Sequence, residues 1–225
     1  MSHTPDERYA FGESLPIAPV DPGSTVFVAG PAMSPAEDLA TTMVADGCHG
    51  EEGSLFISTN TTCERLLDGC RRTHPDLDAS RVGVIDCTGQ VSGDRSHEAE
   101  VKYISTQSDL TGIGMKFSAL YESLYMASGG PVRAGLVTLS SLSMYSDLRT
   151  LYQFVQTLSA RIDSAGGLGV FAIDPTTHDE QSINTLSQVA DGRIDVREAD
   201  DADGQLRVRG LPDQPDGWQP FTLPR

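Results

Sequence analysis

The residues best placed to do chemistry follow the first apolar run of the chain, where GPAMSPAE occupies positions 30–37. A phosphate-binding loop at such a place reads GxxxxGK[ST], because backbone N–H groups, a lysine and a hydroxyl must together hold a phosphate and Mg²⁺. Gly30 keeps the first position, but Pro35, Ala36 and Glu37 replace the second glycine, the lysine and the hydroxyl residue. Proline also has no N–H to donate. The segment therefore predicts a vestigial phosphate loop that binds no triphosphate.

The same loop predicts a helix that begins without a ligand. Ser34 is a favoured N-cap residue, Pro35 suits the first helical position, and Glu37 completes a capping box with Ser34. A helix N-terminus attracts anions through its free N–H groups and its dipole. We expect the Glu37 carboxylate to occupy that position and to repel a phosphate.

Two further polar groups favour structural roles. His178, Asp179 and Glu180 fall at the first turn of a predicted helix, where acidic residues are favoured by the dipole. His178 follows a strand end and can also lie in a cleft. Asp86 ends another strand, where capping of the next turn is favoured over binding Mg²⁺.

The sequence contains no hydrolytic or metal-binding motif. It has no GxSxG, and Ser96–His97 has no oriented third member. The four cysteines form no CxxC pair, and Cys63 and Cys70 fall on one apolar helical face, which favours core packing over metal ligation. We therefore expect no catalytic residues, no metal and no cofactor.

The charge of the chain is strongly acidic. It has 32 Asp and Glu against 16 Lys and Arg, a net charge of −16, and its only lysines are Lys102 and Lys116. Such a surface repels itself in dilute buffer, but at molar salt the Debye length falls to about 3 Å. Halophilic adaptation is favoured over an acidic tail for a basic partner, because the acids are spread along the chain apart from residues 198–203. This charge also disfavours nucleic acid.

No apolar run reaches the length of a membrane span, and no basic-then-apolar leader follows Met1. We expect a cytoplasmic protein without a membrane partner.

Strand and helix patterns alternate along the chain. This predicts an α/β fold of three layers, with a mostly parallel sheet, helices on both faces and a C-terminal β-hairpin. Ligands bind such sheets at the carboxyl ends of the strands, where the 30–37 loop lies. The predicted strands are 25–29, 53–60, 81–87, 101–105, 132–142, 168–174, 193–199 and 205–210, and the predicted helices are 34–45, 61–72, 109–129, 148–162 and one that starts with a capping box at Thr177 and Glu180.

Three parts follow from composition. Residues 1–23 are polar and rich in proline, and predict an irregular lead-in. Residues 24–211 form the α/β domain. Residues 212–225 form a Pro-rich tail with Trp218, which we expect to lie over the surface.

The order of elements, the loop at Gly30, the stretch RAGLVTLSSLSMYSDLRTLYQFVQTLSARI and the ending QVADGRIDVRE…QLRVRG together resemble RecA-superfamily proteins of the KaiC type. They are most similar to the KaiC/RadA-like branch of haloarchaea that carries no intact P-loop. The resemblance covers roughly residues 24–211 and implies a RecA-like sheet.

Four functional positions of that family are empty in this chain. The resemblance places Ala36 at the phosphate-binding lysine and Glu37 at the Mg²⁺-binding hydroxyl. It places Thr59–Asn60 at the acidic pair that orients water, and Ser140 at the Walker-B aspartate. Phosphoryl transfer depends on positioning and electrostatic stabilisation, so these losses predict no catalysis.

One family feature is retained. Arg207 and Arg209 stand where KaiC-type rings carry a basic pair that reaches the neighbouring subunit's nucleotide, which implies a role at a subunit interface. The expected function is a non-catalytic regulatory or interaction module that binds a protein partner or itself. Two alternatives stay open: an atypical ATPase that uses Arg207 and Arg209 across an interface, and a small-ligand sensor without hydrolysis.

Overall fold

A nine-stranded sheet forms the centre of the molecule. The structure is a computed structural model, and it describes residues 8–49, 52–90 and 98–224. The strand order is β4-β3-β2-β5-β6-β1-β7-β8-β9. The strands are β1 (Thr25–Ala29), β2 (Gly53–Ser58), β3 (Val82–Asp86), β4 (Glu100–Tyr103), β5 (Val132–Leu136), β6 (Leu168–Ile173), β7 (Gly192–Arg197), β8 (Gly204–Arg209) and β9 (Gln219–Phe221).

Within the described residues, six α-helices cover this sheet. They are α1 (Ala36–Ala45), α2 (Cys63–Thr73), α3 (Leu110–Ser128), α4 (Leu139–Ser143), α5 (Leu148–Ser164) and α6 (Glu180–Ser187). Strands β1 to β7 are parallel, whereas β7–β8 and β8–β9 are antiparallel. The predicted mostly parallel α/β fold with a C-terminal hairpin is confirmed.

The core has two halves, one on each face of the sheet. On one face, α1 and α2 contribute buried residues such as Leu39 and Leu67. On the other, α3, α5 and α6 contribute residues such as Phe117, Val155 and Leu186. Burial on both faces explains why the parallel strands read as continuous apolar runs. The described part of the chain holds no helix that is both long and apolar enough to span a membrane.

Local signals set several helix ends as predicted. The Asp109 side chain accepts a hydrogen bond of 2.8 Å from the Gly112 N–H at the start of α3. Gly129 ends that helix in the left-handed region at φ 67°. The predicted start at Thr177 is wrong, because Thr177 closes a short 3₁₀ turn and Asp179 caps α6 through the Ser182 N–H.

The described part of the lead-in is built into the core. Tyr9 forms an antiparallel bridge with Val20, and both are buried. Arg133 on β5 is buried as well, and its guanidinium donates to the Ala10 carbonyl (2.9 Å) and to the Met43 carbonyl (3.0 Å). A buried charge requires such partners, so Arg133 ties the lead-in to the sheet.

The C-terminal tail also enters the sheet. β9 pairs with β8, and its Phe221 is buried against the core. The tail was expected to lie over the surface, because its prolines and turn residues mask this three-residue strand. Proline is tolerated there because β9 lies at the sheet edge.

Candidate functional site

A cleft of about 500 Å³ opens at the carboxyl ends of β1, β5 and β6. The chain leaves β1 towards α1 on one face of the sheet, and leaves β6 towards α6 on the opposite face. Adjacent strands with diverging connections leave a crevice between them, which is the common ligand position in α/β sheets. The 30–37 loop forms one wall of this crevice, as predicted from its place after β1.

The loop makes a tight turn at Gly30. A Cβ atom there would lie 2.5 Å from Ser34 Oγ and 2.8 Å from Ala36 Cβ. Any side chain at this position would therefore clash, so internal packing alone requires the glycine. Met33 forms the tip of the loop, with φ 69° and 98% of its surface exposed.

The predicted capping box is absent. Helix α1 begins after Pro35 and has no side-chain cap, and Ser34 Oγ is buried without a hydrogen-bond partner. Glu37 turns away from the helix start and accepts a hydrogen bond of 3.0 Å from Asn60 Nδ2. The local pattern was overridden because the residues after β2 offer Glu37 a donor.

Asp174 supplies the carboxylate that the loop binds. Its Oδ2 accepts a hydrogen bond of 3.0 Å from the Ala32 N–H, and its Oδ1 accepts bonds from the N–H (2.8 Å) and Oγ1 (2.7 Å) of Thr176. The Gly30 N–H donates to the Ile173 carbonyl. Since prolines fill two more positions of the loop, few of its amides remain for a phosphate.

Carboxylates dominate the charge of the cleft. Glu37, Asp38 and Asp174 line it, and none of its described lining residues is a lysine or arginine. Partial burial raises the pKa of Glu37; nearby Asp38 and Asp174 add to this effect, while hydrogen bonds from Asn60 and Thr138 oppose it. A polyphosphate would meet three acidic groups and no cation.

Ser140 and His178 meet beside the cleft. Ser140 Oγ lies 3.1 Å from His178 Nε2 and accepts a hydrogen bond of 2.9 Å from the Asp174 N–H. Burial lowers the pKa of His178, although Asp174 and Asp179 raise it in part. A neutral imidazole can accept the Ser140 proton at Nε2. No sequence pattern points to this pair, because the two residues lie on different elements, 38 positions apart.

The remaining predicted residues have structural surroundings. Asp86 is buried, and its carboxylate accepts from the Cys63 N–H (2.8 Å) and the Thr88 N–H (2.9 Å). It therefore caps a turn, as predicted, and also holds the start of α2. Cys63 and Cys70 are buried, and burial raises the pKa of the Cys63 thiol to about 11.

No cluster of three or more potential metal ligands occurs in the described ranges. The dipeptide Ser96–His97 lies outside the described residues. The resemblance to KaiC-type proteins places a water-orienting pair at two residues after β2; of these, Thr59 is buried and Asn60 lines the cleft.

Arg207 and Arg209 lie on one face of the hairpin, as their spacing predicts. Both contact the Asp195 carboxylate on the neighbouring strand, at 3.3 Å and 3.0 Å, and Arg193 contacts it at 2.8 Å. Trp218 from the tail covers the Arg207 guanidinium, which lies 4.7 Å from the ring centroid. These arginines lie away from the cleft of their own chain, since none lines it.

Residues 23–196 match the family model described as a family of unknown function (DUF7504). The matched segment is more than half of the chain, so the protein belongs to this family. The match includes the loop, the cleft and β7 up to Val196, whereas Arg197, Arg207, Arg209 and Trp218 lie outside it. The comparison with curated proteins found no match.

Proposed function

We propose that this protein is a non-catalytic RecA-like domain of the KaiC type, which has lost its ATP site and serves as a regulatory or protein-interaction module. One observation carries the proposal: the loop that would hold a phosphate binds the carboxylate of Asp174 through the Ala32 N–H. With Glu37 and Asp38 in the same cleft, a bound polyphosphate would be repelled by three acidic groups.

The lack of catalytic groups supports the same function. Phosphoryl transfer needs cations or fixed donors at the transferring phosphate and a group that orients the nucleophile. Ala36 is buried and carries no charge. Ser140 carries a hydroxyl instead of a metal-binding carboxylate, and that hydroxyl lies 3.1 Å from His178 Nε2 and accepts a hydrogen bond from the Asp174 N–H. Neither position supplies the electrostatic stabilisation on which such a reaction depends.

We further propose that the protein works in a cytoplasm of high salt concentration. A net charge of −16 with two lysines is suited to a cytoplasm of high salt, where charge repulsion is screened. We therefore place the protein in the cytoplasm of a halophilic archaeon. Its partner is a protein or a second copy of itself, and Arg207 and Arg209 are the residues assigned to that contact.

A specific observation favours one alternative, a small-ligand sensor. The cleft is lined by hydroxyl groups of Thr138, Ser140, Ser141, Ser143 and Thr177 as well as by carboxylates. Such a lining suits a neutral or cationic ligand and disfavours an anion. The other alternative, an atypical ATPase, needs the arginines of a second subunit to supply the missing cations.

Calorimetric titrations with MgATP and with adenosine, in molar KCl and paired with a phosphate-release assay, distinguish these functions. We expect no heat from either ligand and no phosphate release. Binding of adenosine without MgATP would favour the sensor, and MgATP binding with phosphate release would overturn the proposal. The single variant Glu37→Gln serves as a control. It removes one negative charge from the cleft, which should not be enough for MgATP to bind because position 36 carries no lysine.

A further inference from the structure

The exposed face of the β7–β8 hairpin concentrates positive charge in an acidic protein. It carries Arg193, Arg197, Arg207 and Arg209 around Asp195, which we call the arginine face. Four arginines and one aspartate give +3. The rest of the chain then holds 12 basic and 31 acidic residues, from totals of 16 and 32, which gives −19.

The arginine face has spare capacity to bind carboxylates. Asp195 contacts three guanidinium groups, and each guanidinium carries five N–H donors. Arg209 exposes 58% of its side chain. One internal carboxylate therefore leaves donors and positive charge for an acidic group from outside.

The opposite face of the hairpin is already covered. Ile194, Val196 and Leu206 belong to the core that contains α1. Only the arginine face of these strands is thus available to a partner.

A matching acidic group lies at the tip of the same hairpin. The turn between β7 and β8 contains Glu198, Asp200 and Asp201, all exposed, which we call the acidic turn. Arg193 and Arg209 pair with each other at the opposite end of the strands. The four residue steps from Arg193 to Arg197 span about 13 Å at the rise of a β-strand. The negative charge of the acidic turn and the positive charge of Arg193 and Arg209 are therefore well separated along the hairpin.

We propose that two copies of this chain associate through a two-fold axis on the arginine face, with the acidic turn of each copy against Arg193 and Arg209 of the other. Two hairpins stacked antiparallel bring opposite ends together, and a two-fold contact is formed twice from the same residues. Carboxylate–guanidinium contacts then satisfy donors that Asp195 leaves free. This inference rests on the proposed interaction role and names the partner as a second copy.

The size of the surface predicts weak association. The two six-residue strands of the arginine face measure about 20 by 10 Å, which is well below the roughly 800 Å² per partner of a stable interface. The net charge of each copy also opposes contact until salt screens it. We therefore expect a dimer with a dissociation constant in the micromolar range or weaker.

Trp218 gives a direct optical readout. It is the only tryptophan of the chain, and its ring stacks with Arg197 (4.2 Å) and Arg207 (4.7 Å) at the middle of the hairpin. It is half-buried in the single chain. Association should bury it further, so its emission should shift to shorter wavelength as the protein concentration rises.

Sedimentation velocity and Trp218 emission, measured across the micromolar to millimolar range at physiological and at molar KCl, test the proposal. The wild type should form a dimer and nothing larger. Arg209→Glu and Asp201→Arg should each weaken association by about tenfold or more, since each places like charges in contact. Lys102→Glu on β4 makes the same charge change as Arg209→Glu at the opposite edge of the sheet, where the Lys102 side chain is 41% exposed, and should leave association unchanged.

Mixing the two variants is the decisive experiment. An equimolar mixture of Arg209→Glu and Asp201→Arg should form a mixed dimer. In one of its two contacts an unchanged Arg209 meets an unchanged acidic turn, and in the other the new glutamate at 209 meets the new arginine at 201. A wild type that stays monomeric in both salts, a mixture that stays monomeric, or a defect in Lys102→Glu as large as in Arg209→Glu would overturn the proposal. Assemblies larger than a dimer would overturn its two-fold geometry.

Two safeguards keep these outcomes distinct. Circular dichroism checks that each variant is folded, and Asp201→Arg lies in the turn outside the sheet, so it remains a valid test if Arg209→Glu does not fold. If the protein neither dimerises nor binds MgATP, only the proposed dimer surface is rejected. If the protein dimerises as proposed and also hydrolyses ATP, only the proposed non-catalytic function is rejected.

Discussion

The cleft and the arginine face belong to one sheet and carry opposite charge. In the cleft, three carboxylates stand without a lysine or arginine, and the loop amide of Ala32 is satisfied by Asp174. On the arginine face, three guanidinium groups share the single carboxylate of Asp195. The difference shows that a net charge of −16 is not spread evenly over the surface. We therefore expect the first region to repel anions and the second to bind them.

Replacing Asp195 by asparagine should have the largest effect on stability. Its side chain is only 13% exposed, and without its charge three guanidinium groups would face one another. We expect the free energy of unfolding to fall by about 2 kcal/mol, as for lost hydrogen bonds to charged groups. Chemical denaturation at constant salt measures it. The control is Asp213→Asn, whose side chain is 69% exposed and contacts Arg8; an equal loss in both would show that Asp195 does not organise the face.

Asp174→Ala tests the corresponding carboxylate of the cleft. This change removes the acceptor of the Ala32 N–H and of two Thr176 groups. We expect a loss of about 1 to 2 kcal/mol in unfolding free energy, because partly buried donors are left unsatisfied. Asp38→Ala is the matched control, since Asp38 lines the same cleft and is exposed. If both variants lose the same amount, the loop does not depend on its internal carboxylate.

The Ser140–His178 pair predicts a pH dependence. Burial lowers the pKa of His178 from its ordinary value of 6.5, so the unfolded chain takes up this proton at higher pH than the folded protein. The stability contributed by the neutral imidazole is therefore present above about pH 6.5 and lost as the pH falls below it. Thermal melts between acidic and neutral pH should show that His178→Gln reduces this slope.

Ser140→Ala separates the hydrogen bond from the titration. It removes the contact to Nε2 but keeps the histidine, so the protein should be destabilised at neutral pH and retain a pH slope. A slope unchanged in His178→Gln would mean that other groups set the acid sensitivity.

Glu37→Gln should have the smallest effect. Partial burial raises the pKa of Glu37, so its ionisation opposes folding as the pH rises above its ordinary value of 4.5. The variant removes this penalty while keeping an oxygen that can accept from Asn60. We expect a gain within about 0.5 kcal/mol at neutral pH, in the range of surface substitutions. Chemical denaturation at neutral and at acidic pH should show the gain only at neutral pH, and a loss there would contradict the direction.

Local patterns were sufficient for most of the fold. The Asp109 cap and the Gly129 stop are correct because each acts within one turn of its own helix. The capping boxes at Ser34–Glu37 and Thr177–Glu180 are wrong. Asn60 binds Glu37, and the adjacent Asp179 is the better cap for α6.

In the candidate site, too, features set by neighbouring residues were predictable from sequence and long-range contacts were not. Patterns along the chain were enough to predict the alternation of strands and helices, the absence of a complete phosphate-binding motif after β1, and the same-side spacing of Arg207 and Arg209, since each depends on neighbours in sequence. The folded structure was needed to show that Asp174 binds the loop, that Ser140 meets His178 and that Asp195 lies between arginines. The first two contacts join elements distant in sequence, which are brought together by the order of the strands in the sheet, and the third depends on the register of the β7–β8 hairpin.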